Sequence, residues 1–326
     1  VTTEPLLGIV IIARNEERHI AACVERTLAA ARRFSRTQVI LVDSDSTDET
    51  VAIASRYPIT IYRYRSPVRT AAAGRRIGFE YIAARYVLFL DGDCCIEEKW
   101  LAHAMVLMEA DRKAAVIHGA LRESADGAVE ECKSIHVSPE ESGLGGNALY
   151  KSSALRMAGG FNPFIIAEEE GELFGRIQAA GYHAIRTPEV MVTHYTLPKD
   201  TMRRVIRRHL RGLSRGPGQV LRLSIRQGLF SYHARRFNRY LLALAYLAVG
   251  AVLTVVAAIR TDPSPLVCWL TTGLAAFVWL SFRRRGVRSA FYIAVDWGVV
   301  GMTMAQDFFV RPKCSEMFNP VVERMK

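Results

Sequence analysis

Val87-Leu88-Phe89-Leu90-Asp91-Gly92-Asp93 is the stretch on which the rest of the chain turns. Four large apolar residues run into two carboxylates separated by one glycine. A short apolar run of this kind predicts a strand buried on both faces of a parallel sheet. In open α/β sheets, ligands bind just beyond the C-terminal ends of such strands. Two carboxylates there are costly to bury unless they meet a cation. Oxygen ligands suit Mg²⁺ or Mn²⁺, which in turn hold phosphates. The stretch therefore points to a metal-dependent site for a nucleotide diphosphate. A plain strand ending in an Asp-Gly turn has the same residues, so the flanking sequence has to discriminate.

Upstream, strands and helices alternate. Residues 7–13 (LGIVIIA) read as a strand, and 20–33 as a helix after Arg14-Asn15-Glu16-Glu17. Residues 39–42 form a second apolar strand, closed by Asp43-Ser44-Asp45-Ser46-Thr47-Asp48, a cluster rich in N-caps for a short helix over 49–57. A third strand over 59–64 and an Ala- and Gly-rich helix over 71–84 precede the opening stretch, and a helix over 97–109 follows it. The alternation implies a parallel, doubly wound sheet. Downstream the order loosens. A strand is expected over 115–119, a loop over 137–146, and a short helix over 152–157 stopped by Gly159-Gly160. A helix over 168–181 ends at Gly181, and late strands cover 183–187 and 190–194.

The chain has 326 residues, 50% of them hydrophobic, a mean hydropathy of +0.09 and a formal net charge of +11. The charge is local. Residues 201–239 contain eleven Arg and no Asp, Glu or Lys, and without them acidic and basic residues are equal in number. The six cysteines show no ligand spacing, which fits free thiols in a reducing compartment. Residues 6–12 are apolar but short, with no basic region before them, so no signal peptide is expected.

From residue 201 the character changes. Met202, Ile206, Leu210 and Leu213 share one helical face, and Arg204, Arg208, Arg211 and Arg215 another. This basic amphipathic helix is expected to break at Gly216-Pro217-Gly218. Residues 241–259 and 266–282 are then free of charge and are read as a membrane hairpin. Arg283-Arg284-Arg285 and Arg288 follow, at the same end of the hairpin as the first basic stretch. The positive-inside rule makes that end cytoplasmic and places the N-terminal domain there. A third apolar segment, 289–310, carries Asp296 and Asp307, three helical turns apart and so on one face. It spans, re-enters or lies in the interface. Nucleic acid is a poor partner for the Arg stretch, because no recognition fold accompanies it. Anionic lipid fits better, and some of these Arg residues could also hold a phosphate of donor or acceptor.

The pieces form an ordered set: IVIIARNEE (9–17), ILVDSDSTDET (40–50), AAGRRIG (72–78), VLFLDGD (87–93), Gly145-Gly146-Asn147, Gly159-Gly160-Phe161 and Glu169-Glu170-Gly171-Glu172-Leu173. In this order they resemble a family 2 glycosyltransferase over about residues 5–198. The resemblance implies a GT-A nucleotide-diphospho-sugar transferase fold with a Rossmann-like mixed sheet, here over 1–200. The basic interface segment (201–239) and a membrane region of two to three helices (240–326) would follow it.

It also implies roles. Ala13, Asn15 and Glu16 would line the base and ribose of the nucleotide, and Asp43 would contact the base. Asp93 would bind Mg²⁺ or Mn²⁺, with Asp91 near the ribose and metal and His194 near the metal or diphosphate. Arg75 falls where the family often has an Arg that touches the nucleotide, although Arg76 replaces the Asn that usually follows. Glu169-Glu170 matches a Glu-Asp pair whose second member is the general base, which assigns that role to Glu170 or to its neighbour Glu169. An acidic helix start, favourable at the helix dipole, is the plain alternative for the pair. The implied activity is inverting transfer of a sugar from a nucleotide-diphosphate donor, UDP first, to a hydroxyl of a lipid-linked or membrane-proximal glycan. A lipid-phosphate acceptor, as in polyprenyl-phosphate glycosyltransferases, would need no base. A catalytically silent membrane scaffold is the reading from a different class.

Overall fold

The computed structural model describes residues 6–124, 146–195 and 202–326. The expected domain boundary at residue 200, Gly145, Cys132 and most of the expected 137–146 loop lie outside them. The chain forms two compact units. One comprises Val1–Leu197 with Lys313–Lys326, and the other Pro198–Pro312.

The first unit is a sheet with helices on both faces. In chain order it contains β1 (Leu7–Ala13), α1 (Ile20–Ala31), β2 (Gln38–Asp43), α2 (Thr50–Ala54), β3 (Thr60–Arg65), α3 (Ala71–Glu80) and β4 (Tyr86–Asp91). Then come β5 (Cys94–Ile96), α4 (Glu98–Ala110), β6 (Ala114–Ser124), β7 (Ala148–Lys151), α5 (Ser152–Met157), α6 (Glu169–Ala179) and β8 (His183–Tyr195). β1 is buried along its whole length. Ile9 and Ile11 pack on one face with α1 and α4, and Val10 and Ile12 on the other with α3. Both faces being covered is why β1 and β4 read as unbroken apolar runs.

β2 and β4 flank β1 in parallel, with Ala13 opposite Asp43 and Ile12 opposite Asp91. That register brings the carboxylates closing two strands to one edge. Gly92 must pass close to β1: a Cβ there would lie 3.0 Å from the Ala13 Cβ and 3.2 Å from the Ile12 carbonyl oxygen. Among the described residues the sheet has nine strands, the last being β9 (Val321–Arg324), in the order β5-β8-β6-β7-β4-β1-β2-β3-β9, and it is mixed, because β7 runs antiparallel to both β4 and β6. The two expected late strands are one strand, β8, whose pairing with β6 shifts register across Thr187-Pro188-Glu189. Pro188 lacks the N–H a ladder needs, which gives the sequence its break there.

The ninth strand comes from far along the chain. β9 (Val321–Arg324), after a short turn at Ser315–Met317, pairs antiparallel with β3. Arg65 bonds Glu323 at 3.0 Å, and the Lys326 ammonium donates to the Ser55 and Tyr57 carbonyls at 2.7 Å. Residues expected to belong to the hydrophobic C-terminal region thus complete the first unit's sheet. Val321-Val322 is too short an apolar run to announce a strand alone.

The second unit is helical. It contains α7 (Met202–Leu210), a 3₁₀ turn (Leu213–Arg215), α8 (Gly216–Gln227), α9 (Phe230–Arg236), α10 (Asn238–Arg260), α11 (Ser264–Arg283) and α12 (Val287–Phe308). The basic helix stops earlier than expected, at Leu210 with Gly212 in a left-handed φ of 73°, and Gly216-Pro217-Gly218 opens α8 instead of breaking a helix, because the first turn has no use for the N–H that Pro217 lacks. Among the described residues two helices are long and apolar enough to cross a membrane, α10 and α11. They pair through Tyr246 stacked on Trp269, whose indole N–H donates to the Tyr246 carbonyl at 3.0 Å. Elsewhere they turn apolar side chains outward, among them Leu242, Val252, Val255, Leu274 and Phe282. They are not the core of this unit.

Candidate active site

The site lies at the C-terminal ends of β1, β2 and β4, where strand order reverses about β1 and ligands of such sheets bind. Three layers of side chains build it.

The first layer follows β1. Asn15 takes a left-handed φ of 58°, so the chain turns sharply out of the strand. The turn is bolted to the polar cluster after β2. Asn15 N–H donates to Ser46 Oγ at 2.9 Å, Glu16 N–H to Thr50 Oγ1 at 2.8 Å, and Thr47 N–H to Asn15 Oδ1 at 2.9 Å. Asp43, fully buried, accepts the Ser46 N–H at 3.0 Å and its hydroxyl proton, and has Arg63 at 3.6 Å. Burial pushes its carboxyl up against those partners. Asp45 is spanned by Arg63 and Arg69 at 2.9 and 2.8 Å. Ala13, Asn15, Glu16 and Asp43 therefore form one rim beside Asp91 and Asp93.

The second layer is the carboxylate pair itself. β5 pairs with β8 so that Cys94 faces His194. This sets His194 Nε2 3.0 Å from Asp93 Oδ2. Burial would raise the Asp93 carboxyl, but the His194 hydrogen bond and charge outweigh it and hold it below the usual range. On Glu16 the His194 charge is the weakest influence. Burial, then the charges of Asp93 and Asp91, push it up to about 7. The ligating atoms of Asp93, Cys94 and His194 all lie within 4.8 Å of one another. A surplus of carboxylates around that cluster fits a divalent ion, and the imidazole favours a transition metal such as Mn²⁺ over Mg²⁺. Asp91, expected beside the metal, gives one oxygen to Arg75 at 2.8 Å.

The third layer faces the first two. Arg75, on α3, is 2% exposed, and three carboxylates share its guanidinium. Besides Asp91 it bonds Glu169 at 2.7 Å and lies 3.3 Å from Glu170, while its flat face covers Phe161 at 5.7 Å. Both glutamates open α6, with Glu168 ahead of them in a left-handed φ of 69°. Burial pushes both glutamate carboxyls up. In Glu170 the charge of Glu169 adds to burial, and Arg75 acts against both. Gly146 is the floor: a Cβ there would lie 2.0 Å from Arg75 Nη2 and 2.6 Å from Asp91 Oδ2. Asn147 Oδ1 accepts the Asp91 N–H at 2.8 Å and so holds the end of β4.

The sequence-predicted residues thus gather on one rim, with Arg75 tying the Asp91 side to the Glu169–Glu170 side. Glu172, which belongs to the same acidic run, is fully buried and pairs with Arg176 at 2.6 Å. Arg176 in turn caps the carbonyls of Ala158 and Gly160, so Glu172 fixes the Gly159-Gly160 turn. Cys94 and Tyr150 escaped the sequence reading. Cys94 reaches the site through pairing with a strand a hundred residues away. Tyr150, buried between Phe89 and Phe161, belongs to a four-residue strand with no periodicity to find.

A doubly wound mixed sheet with acidic residues closing its strands, and an acidic helix start across from them, defines a GT-A nucleotide-sugar transferase fold. Residues 8–155, a little under half of the chain, match the model of glycosyl transferase family 2. The chain is similar to the glycosyltransferase AglE of Haloferax volcanii, 27% identical over 104 residues. That match spans 31% of this chain and 34% of that protein, about a third of each. Among solved structures, the mannosyltransferase PcManGT of Pyrobaculum calidifontis, in complex with GDP-Man and Mn²⁺, superposes with a TM-score of 0.60 at 20% identity. The match covers 90% of this chain and 86% of that one. TarS 1-349 of S. aureus, in complex with UDP, superposes with a TM-score of 0.56 at 14% identity over 94% and 93% of the two chains. These likenesses concern the fold.

Proposed function

We propose that this protein is a metal-dependent, inverting glycosyltransferase that works at a membrane. It takes a sugar from a nucleotide-diphosphate donor and places it on a hydroxyl of a lipid-linked or membrane-proximal glycan. The observation that carries this is that Arg75 joins Asp91 to Glu169 and Glu170, beside the Asp93–His194 pair that follows Asp91 in the chain.

Ala13, Asn15, Glu16 and Asp43 bind the nucleoside. Asp93 and His194 hold a Mn²⁺ or Mg²⁺ ion, with Cys94 within reach of it. When bound, the ion neutralises the diphosphate as it leaves. Asp91 is kept in place by Arg75 and the Asn147 side chain. Glu170 takes the proton of the acceptor hydroxyl as that oxygen attacks the anomeric carbon. Its raised affinity for protons, due to burial and Glu169, suits a base working near neutrality. Glu169 bonds Arg75 more closely and stays the positioning partner. One displacement from the face opposite the leaving group inverts the anomeric carbon. UDP-sugars are the first donors to test and GDP-mannose the second, since two proteins of the same fold hold UDP and GDP-Man.

The membrane part of the proposal rests on α10 and α11. Their apolar side chains face outward, which water would penalise by roughly 25 cal/mol per Å². Basic residues gather at the end where α10 begins and α11 finishes, which supports a cytoplasmic position for that end and for the catalytic domain.

A panel of UDP- and GDP-sugars with Mn²⁺ or Mg²⁺, read by nucleotide release from membrane-extracted protein, tests this. One donor should be hydrolysed slowly without acceptor, and Asp93→Asn should stop it. Failure of every donor with both ions would favour the silent scaffold. Glu170→Gln should abolish transfer; retained turnover would point to a phosphate acceptor that needs no base.

A further inference from the structure

We infer that α12 does not cross the membrane: the chain crosses it twice, and α12 lies along the headgroup layer on the catalytic side, clamped by Arg208 and Arg215. The inference rests on the reading that α10 and α11 span the bilayer, and its test separates the two.

The first argument is parity. The chain leaves the first unit near residue 197 and rejoins it at Lys313. β9 then hydrogen-bonds along β3, with Tyr62 opposite Arg324 and Arg65 opposite Val321. One sheet cannot have strands on both sides of a bilayer. The number of crossings between residues 197 and 313 is therefore even. Three spanning helices would be odd, so α12 cannot join α10 and α11 as a third.

Packing within the second unit says the same. Residue 301 lies 14 residues into α12, about 21 Å along a straight helix. Rising beside α10 from the basic end, it would reach the level of residue 252. Instead Gly301 sits against the first turns of α10, where a Cβ would lie 2.9 Å from the Tyr240 carbonyl oxygen and 3.4 Å from the Leu244 Cβ. α12 thus starts just after the basic end of α11, and its second half is still at the basic end of α10. It stays at one level.

The two carboxylates of α12 meet the basic stretch. Asp307 is 3% exposed and receives both the Nε and Nη2 hydrogens of Arg215, each at 2.7 Å. Arg208 lies 3.9 Å from Asp296. Thr303 Oγ1 donates to the Ser214 carbonyl at 2.8 Å, and Gly218 lets the two backbones close, since a Cβ there would be 2.4 Å from the Met304 carbonyl oxygen. Both ends of α12 also carry an Arg over an aromatic ring, Arg288 over Tyr292 and Arg222 over Phe308. The same pairing occurs where α10 enters, Arg239 over Tyr240, and where α11 leaves, Arg283 over Trp279. Such pairs suit the boundary between water and lipid. A spanning α12 would carry them at two boundaries; here all four belong to one. The partner of this layer is an anionic lipid surface, which attracts each exposed Arg by about 1 kcal/mol.

The test uses the full chain in sealed vesicles of one orientation and a membrane-impermeant maleimide. Native Cys314 is exposed and follows α12, so it reports where α12 ends. Val106→Cys, on an exposed face of α4, reports the catalytic side, and Asp262→Cys reports the loop between α10 and α11. Both are made with Cys132, Cys268 and Cys314 replaced by Ser; the Cys314 reporter keeps only the first two replacements. Cys314 and Val106→Cys should be labelled from one side and Asp262→Cys from the other. Cys314 labelled with Asp262→Cys, opposite Val106→Cys, would mean a spanning α12 and would overturn the inference. All three on one side would overturn the spanning hairpin beneath it. A nitroxide on Ala294→Cys should in addition show headgroup depth, against bilayer-centre depth on Val252→Cys. Equal depths would also overturn the inference.

Discussion

Each unit holds an arginine–carboxylate assembly around a buried carboxylate, and the two are built to opposite rules. In the first unit one guanidinium, Arg75, is shared by Asp91, Glu169 and Glu170, with Glu16 and Asp93 close by. In the second, Arg215 meets Asp307 alone in a two-pronged pair, and Arg208 meets Asp296. The second set balances charge one to one. It ties α7 and the 3₁₀ turn to α12. The first set has more carboxylates than cations: burial first pushes up the carboxyls of Glu16, Glu169 and Glu170, and neighbouring negative charges add to it. That excess is relieved when a cation binds or a proton is taken. Charge count therefore separates a site from a staple where residue types do not.

The comparison can be broken in several places. The largest effect is expected at the base. Glu170→Gln should lower transfer by about 10²- to 10⁴-fold with the fold intact, whereas Asp307→Asn should leave donor turnover unchanged. Equal losses in the two variants would erase the distinction. Next comes Arg75→Met, which strands three carboxylates. Removing one member of a buried pair costs about 3–5 kcal/mol, to be read from the denaturant midpoint. The gap to the parent should narrow as pH falls and the stranded carboxyls take up protons.

pH should divide the two units further. Glu16 holds a proton up to about pH 7 in the folded state, against a reference of 4.5. The native state therefore binds more protons between these values, and stability falls as pH rises through 7. Glu16's contribution is complete below pH 4.5 and lost above 7. Mn²⁺ should restore stability on the alkaline side, and Glu16→Gln should flatten the slope. A slope unchanged in that variant would place the titration elsewhere. The smallest effects belong to the staple. Arg215→Ala strands the buried Asp307 and should cost more than Asp307→Asn, which leaves a half-exposed arginine facing water. Asp296→Asn, whose pair is 3.9 Å long, should fall within about 0.5 kcal/mol of the parent.

How legible each unit was in sequence follows from the same physics. The proposed donor side of the site came from residues at the ends of neighbouring strands: Asn15, Asp43, Asp91 and Asp93. Parallel register alone brings strand ends together, so order along the chain is almost position in space. The Glu169-Glu170 pair, the proposed base, was legible as a motif, but its environment was not. Nothing near residue 170 says that a helix starting around residue 71 supplies the arginine between them. The same holds for Cys94 beside His194, which depends on an antiparallel pairing across a hundred residues. In the second unit, Asp296 and Asp307 could be placed on one helical face, because that needs only 3.6 residues per turn. What covers that face could not be read from the sequence.

The sequence by itself determined the alternating strands, the acidic strand ends, the family that about residues 5–198 resemble and the two long apolar helices. All of these are set by local periodicity and side-chain chemistry. Only the tertiary structure decided that Arg75 is held by three carboxylates rather than by solvent, that Glu172 is a clamp on a turn, and that α12 is pinned by Arg208 and Arg215. It alone showed that the chain comes back after its apolar helices to lay β9 along β3. Such choices depend on which distant segments meet, and no local preference of a four-residue stretch such as 321–324 is strong enough to announce its partner.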